Sequence, residues 1–60
     1  METEKKILVV DDDPLMRKSA AVYLQDAGYT VLQADNGRKG LETFRTEKPD
    51  LILLDLRMPE

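Results

Sequence analysis

Three aspartates, Asp11, Asp12 and Asp13, directly follow the apolar run Ile7-Leu8-Val9-Val10, and a fourth, Asp55, ends a second such run, Leu51-Ile52-Leu53-Leu54. A run of four apolar residues between polar ones reads as a buried strand. Acids at the carboxyl end of such a strand stand where open α/β sheets bind ligands. Two neighbouring strands delivering carboxylates to one rim make a site for a hard, oxygen-seeking cation. Two like charges about 5 Å apart repel by roughly 3 kcal/mol at an effective dielectric near 20. Such a cluster therefore calls for a bound cation or a raised carboxyl pKa.

The elements that must position these acids follow from punctuation and periodicity. Lys6 to Val10 is strand one. Asp13-Pro14 starts a helix: the aspartate caps orphan amides, and proline suits the first helical position, where no donor is needed. Met16, Ala20, Tyr23, Leu24 and Ala27 recur at three- and four-residue spacing, which predicts an amphipathic helix with Met16 and Leu24 in the core. Gly28 closes it as a left-handed cap residue. Thr30 to Ala34 is strand two, and Asp35-Asn36-Gly37 is turn chemistry able to cap a second helix. Leu41 and Phe44 form the inward face of that helix. Lys48-Pro49 ends it, because proline disfavours helix at the preceding residue. Asp50 to Asp55 is strand three, with Leu51 to Leu54 read as buried on both faces. The connections are long enough for parallel pairing. The order β-α-β-α-β is half of a doubly wound sheet, and right-handed crossovers put the two helices on opposite faces if strand one lies in the middle.

Composition narrows the functions. Sixty residues make one small domain, 42% apolar and 35% charged, with no Cys and no His. A chain this short buries only about 60% of its unfolded surface and has no disulfide to staple it. The lack of His removes the commonest general base and zinc ligand. A net charge of -3 without a basic patch argues against direct nucleic-acid binding. Uncharged apolar stretches of four residues are too short to span a membrane. Met1 to Lys6 is a polar lead-in without the apolar core of a signal peptide, which points to a cytoplasmic address.

Three stretches, Ile7 to Pro14, Asp35-Asn36-Gly37 and Pro49 to Pro59, together resemble the response-regulator receiver family, the phosphoacceptor domains of two-component signalling. The resemblance runs from Lys6 to the last residue, and it is the set in this order and spacing that is specific. It implies an α/β, flavodoxin-like half-domain, β-α-β-α-β with parallel strand order 2-1-3. Residues 1–60 would be the N-terminal half of a receiver domain, truncated after strand three. Asp55 resembles the phosphoacceptor that takes a phosphoryl group from a histidine kinase or phosphotransfer protein. Asp12 resembles the direct Mg2+ ligand, and Asp11 a carboxylate acting largely through metal-bound water. The backbone carbonyl of Arg57 completes the implied ligand set, and Met58-Pro59 begins the rim loop. Asp13 has no acidic counterpart in the family and is assigned to capping. The family's Ser or Thr, Lys and aromatic switch residue have no positions in this chain, so the fragment is expected to fall short of the full switch. The resemblance implies a signalling phosphoacceptor rather than a turnover enzyme.

Two other functions stay open on the residues. A phosphohydrolase of the haloacid-dehalogenase type places two aspartates, two residues apart, after an apolar strand, as Asp11 and Asp13 stand here. A purely structural half-domain would associate with itself, and the edge of strand three is the expected surface.

Overall fold

The computed structural model describes residues 5–54. Asp55 and Arg57 to Pro59 lie outside the described residues. The order of elements is β1 (Lys6–Val10), α1 (Pro14–Asp26), β2 (Thr30–Ala34), α2 (Gly37–Glu47) and β3 (Leu51–Leu54). The three strands form one parallel sheet in the order β2-β1-β3. Lys6 pairs with Thr30 and Val10 with Ala34 on one side of β1, while Ile7 pairs with Leu51 and Val10 with Leu54 on the other. The ladder starts at Asp50. Its amide donates to the Lys6 carbonyl at 2.8 Å, and its carboxylate accepts the Lys6 amide at 2.8 Å.

The expected caps are present. Asp13 is extended at the head of α1 and accepts from the amides of Leu15 and Met16. Asn36 accepts from the Lys39 amide at the head of α2. Gly28 has φ +103°, the left-handed conformation that glycine adopts without a side-chain clash. Lys48 takes the same role after α2 with φ 50°, just before Pro49.

Strand alternation gives β1 two working faces. Leu8 and Val10, with Ala34 and Leu32, make the core on the α2 side. Val9 turns to the other side, beside Met16 and Ala20 of α1. The helices thus cover opposite faces, as right-handed crossovers require. Ile7, Leu8, Val9, Val10, Ala21 and Ala34 are the buried apolar residues. Burying each large one contributes about 1.5–3 kcal/mol.

Two expectations about the core need correction. Met16, Leu41 and Phe44 are exposed, at 49%, 51% and 44%, and Leu24 is only half-buried. The inward line of α1 runs through Arg17, Ala20, Ala21 and Leu24, one residue out of phase with the stripe containing Met16 and Tyr23. Nor is β3 buried on both faces: all four of its residues are exposed. Each helix covers β1 and β2 and turns an apolar flank toward β3. On the α2 side this leaves an open trough of about 410 Å3, lined by Leu8, Val10, Gly40, Leu41, Phe44 and Ile52 among others.

Gly40 sets how closely α2 lies on the sheet. A Cβ there would stand 2.9 Å from Val10 Cγ2, whereas one at Gly37 meets nothing within 4 Å. Val10 is β-branched and stiff, so it yields poorly. Gly40→Val should destabilise the chain by about 1–3 kcal/mol through overpacking. Gly37→Ala should be neutral or stabilise by up to about 1 kcal/mol. Urea titrations of the two variants against the parent chain measure both; equal midpoints would show that α2 does not depend on this close approach.

Candidate functional site

The acid-bearing turn is an extension of β1. The Asp11 amide donates to the Ala34 carbonyl at 3.1 Å, which carries the β1–β2 pairing one residue past the strand. Asp11 is therefore buried, at 8% exposure. Its Oδ1 accepts the Asp13 amide at 2.9 Å, an aspartate turn that reverses the chain toward α1. Asp13 Oδ1 then caps the helix, at 3.0 Å from the Leu15 amide and 3.4 Å from that of Met16. Pro14 follows at the first helical position. From the next turn Arg17 Nη1 donates to the Asp11 carbonyl at 2.8 Å. Between these anchored residues Asp12 is exposed.

The three aspartates thus have three different situations. Asp13 is occupied by the helix it caps. Asp11 is held through one oxygen, and among the described residues no donor is bonded to the other. Asp12 faces solvent. The ion pairs among the described residues lie elsewhere: Lys6 with Glu47 at 3.5 Å, and Lys39 with Asp35 at 3.6 Å. No lysine or arginine among the described residues forms an ion pair with Asp11 or Asp12. Adjacent carboxylates without an ion-pair partner attract a cation, and a pair of oxygen donors at a strand end suits magnesium or calcium.

Of the predicted site residues, the structure places Asp11 and Asp12 together at the carboxyl end of the central strand. Asp55 and Arg57 fall outside the described residues, and among the described residues no group of three acids is arranged to hold a metal. Val10 and Leu54 are register partners on neighbouring parallel strands. They are the residues that precede Asp11 and Asp55 in the sequence. The use of Asp13 as a cap matches its expected role: its Oδ1 accepts from the Leu15 and Met16 amides.

Two polar residues escaped the sequence reading. Asp50 ties the first residue of β1 to the start of β3 with a reciprocal pair of bonds. Arg17 holds the Asp11 carbonyl. The available signal for Arg17 was its position: it lies three and four residues before Ala20 and Ala21, a charged side chain on the line that turns inward.

The family model "Response regulator receiver domain" matches residues 7–60. The chain is 40% identical over 60 residues to a probable transcriptional regulator, ycf27, of Guillardia theta, covering all of this chain and 24% of that protein. It is 45% identical over 56 residues to the alkaline phosphatase synthesis transcriptional regulatory protein PhoP of Bacillus subtilis, covering 93% of this chain and 23% of the relative. Among solved structures it superposes on the chemotaxis protein CheY4 of Vibrio cholerae with a TM-score of 0.91 at 38% identity, covering 95% of this chain and 48% of that one. The chain therefore spans about a quarter of the length of these curated relatives and about half of CheY4. The match extends over the strands, the caps and the acid-bearing turn alike, and this chain belongs to the response regulator receiver domain family.

Proposed function

We propose that this chain serves as part of a phosphoacceptor module, in which Asp55 takes a phosphoryl group from a histidine kinase or phosphotransfer protein with Mg2+ at the rim. One observation carries the reading: Val10 and Leu54 are paired in register on adjacent parallel strands, and each is followed in the sequence by an aspartate. A carboxylate is a competent nucleophile toward phosphorus and forms an acyl phosphate. One Asp55 oxygen forms the new P–O bond while the P–N bond of a phosphohistidine breaks, and the imidazole leaves with the electron pair. Most of the catalysis in such a transfer is positioning and charge neutralisation.

The donor set fits magnesium. Asp11 and Asp12 offer oxygens from one anchored turn, and Asp55 and the backbone carbonyl of Arg57 are the proposed remaining ligands. Bound there, Mg2+ would neutralise the charge that develops on the phosphoryl oxygens. The chain's own residues do the rest: Asp11 stays fixed by its bonds to Ala34 and Asp13, and Asp12 presents its carboxylate to solvent. Asp13 takes no part beyond capping. A cytoplasmic location goes with a kinase partner. Among the described residues no helix is long and apolar enough to cross a membrane.

Asp55→Asn, in a protein containing a complete receiver with this segment, should abolish kinase-dependent labelling. Asp13→Asn should retain it, since asparagine caps a helix as well as aspartate does. Label persisting on Asp11 in the Asp55→Asn protein would instead support the phosphohydrolase reading. For the metal, Asp12→Asn should weaken Mg2+ binding by about tenfold or more, because a direct anionic ligand is lost. Calorimetric titration measures it, and an unchanged affinity would remove Asp12 from the site.

A separate observation supports self-association of the 60-residue chain on its own. Among the described residues β3 pairs only with β1, and no proline interrupts the apolar run Leu51 to Leu54. Such an edge is a template for another strand. Antiparallel pairing of β3 with its copy across a twofold axis gives a six-stranded sheet. Sedimentation at micromolar concentration should show a dimer or larger species; a cooperatively folded monomer would refute the pairing.

A further inference from the structure

Asp11 is fixed at three points. Its amide is bound to Ala34 of β2, its carboxylate to the amide of Asp13, and its carbonyl to the guanidinium of Arg17, at 3.1, 2.9 and 2.8 Å respectively. The first two bonds follow from strand pairing and from the turn. The third spans six residues and comes from a long, cationic side chain on the sheet-facing line of α1, next to Ala20 and Ala21. A charge placed there gives up hydration and needs a strong acceptor in return. Arg17 is half-buried, and it also lines a polar cleft of about 240 Å3 with Gln33, Asp35 and Lys39 at the carboxyl end of β2.

The bonded carbonyl matters because of what shares its plane. The peptide unit that holds the Asp11 carbonyl also holds the amide nitrogen and Cα of Asp12. Fixing the direction of that oxygen fixes the plane on one side of the Asp12 Cα; the Asp13 amide, bonded to Asp11 Oδ1, holds the plane on the other side, and the two planes together set the direction of the Asp12 Cα–Cβ bond. Asp12 itself is exposed and has no hydrogen bond among the described residues to orient it. The direction of its Cα–Cβ bond therefore depends on the two peptide planes that flank it, one held by Arg17 and one by the Asp13–Asp11 bond. We infer that Arg17 is a positioning residue for the acid pair: by holding the Asp11 carbonyl it fixes one of the two planes that set the direction in which Asp12 presents its carboxylate. The inference rests on the reading of Asp11 and Asp12 as a cation site.

Charge and position predict opposite signs here, which makes the inference testable. A guanidinium near a cation site repels the cation, so charge alone predicts that Arg17→Met tightens Mg2+ binding. Positioning predicts weaker binding, by about tenfold, the usual order when a group that orients a ligand is removed. Lys18→Met makes the same charge change on an exposed neighbour and should leave affinity unchanged or slightly tighter. Arg17→Lys keeps the charge and loses the fork, and should fall between parent and Arg17→Met. Calorimetric titration of Mg2+ into the chain and these variants, with circular dichroism confirming fold, reads all three. If Arg17→Met does not fold, Arg17→Lys alone decides, by a several-fold loss or none.

Hydrogen exchange of the Asp13 amide in metal-free chain gives a second readout. That amide is bonded to Asp11, so release of the Asp11 carbonyl should speed its exchange about tenfold in Arg17→Met and leave it unchanged in Lys18→Met. Weaker Mg2+ binding together with faster exchange supports the inference. Parental or tighter Mg2+ binding in Arg17→Met, or an equal loss in Lys18→Met, overturns it. Asp12→Asn separates the two levels: if its Mg2+ affinity equals that of the parent, the cation reading fails, and Asp13 exchange alone then decides whether Arg17 holds the turn.

Discussion

The pairing of β1 on both its edges is the constraint on which the rest depends. β1 is the strand with a neighbour on each side, and it supplies four of the buried apolar residues, including Leu8, which is fully enclosed. Parallel pairing demands a crossover on each side of it, and handedness then sends α1 and α2 to opposite faces. The same pairing carries Asp11 beyond the strand on its bond to Ala34, so the register that fills the core also places the first acid. A one-residue slip in β1 would exchange Leu8 and Val10 with Val9 across the sheet and turn the acids away from the rim.

What could be read from the sequence was what local chemistry decides. Asp13-Pro14, Gly28, Asn36 and Lys48-Pro49 each start or stop an element by a mechanism confined to a few residues, and each is found in that role. The apolar runs and helix-length connections left strand order conditional; the order 2-1-3 came from the resemblance to the receiver family, and the sheet has it. Burial was less legible. Met16, Leu41 and Phe44 lie on apolar stripes, but periodicity reports which side of a helix is apolar and not whether an element stands opposite it. Their stripes face β3, where the described residues supply no further cover. The phase of α1 was missed for a related reason: the inward line contains Arg17, and a periodicity count treats arginine as outward. Its place is explained by an acceptor, the Asp11 carbonyl, that exists only after the chain has turned.

Asp50 shows the same limit. As a residue type it reads as a strand flank or a turn former. In the fold its carboxylate accepts the Lys6 amide while its own amide donates to the Lys6 carbonyl. This reciprocal pair joins residues 44 positions apart. It sets the lower end of the β1–β3 register, as the Val10–Leu54 pair sets the upper end. The two ends together determine how far the β3 chain advances relative to β1.

The acid turn shows how two adjacent carboxylates can be held at the end of a strand. Two adjacent carboxylates on a strand end repel each other, and a loose loop would relieve the strain by swinging one of them away. Here the backbone is not free to do so. The amide, carboxylate and carbonyl of Asp11 are each committed to a different element, β2, the turn and α1. Repulsion is then left to act on the side chain of Asp12, which is exposed and screened by water. The backbone bonds hold Asp11 in place, while the Asp12 carboxylate faces solvent. Placement and exposure are thus assigned to different groups: the backbone and one carboxylate oxygen of Asp11 are committed to neighbouring elements, and the Asp12 carboxylate is left to solvent.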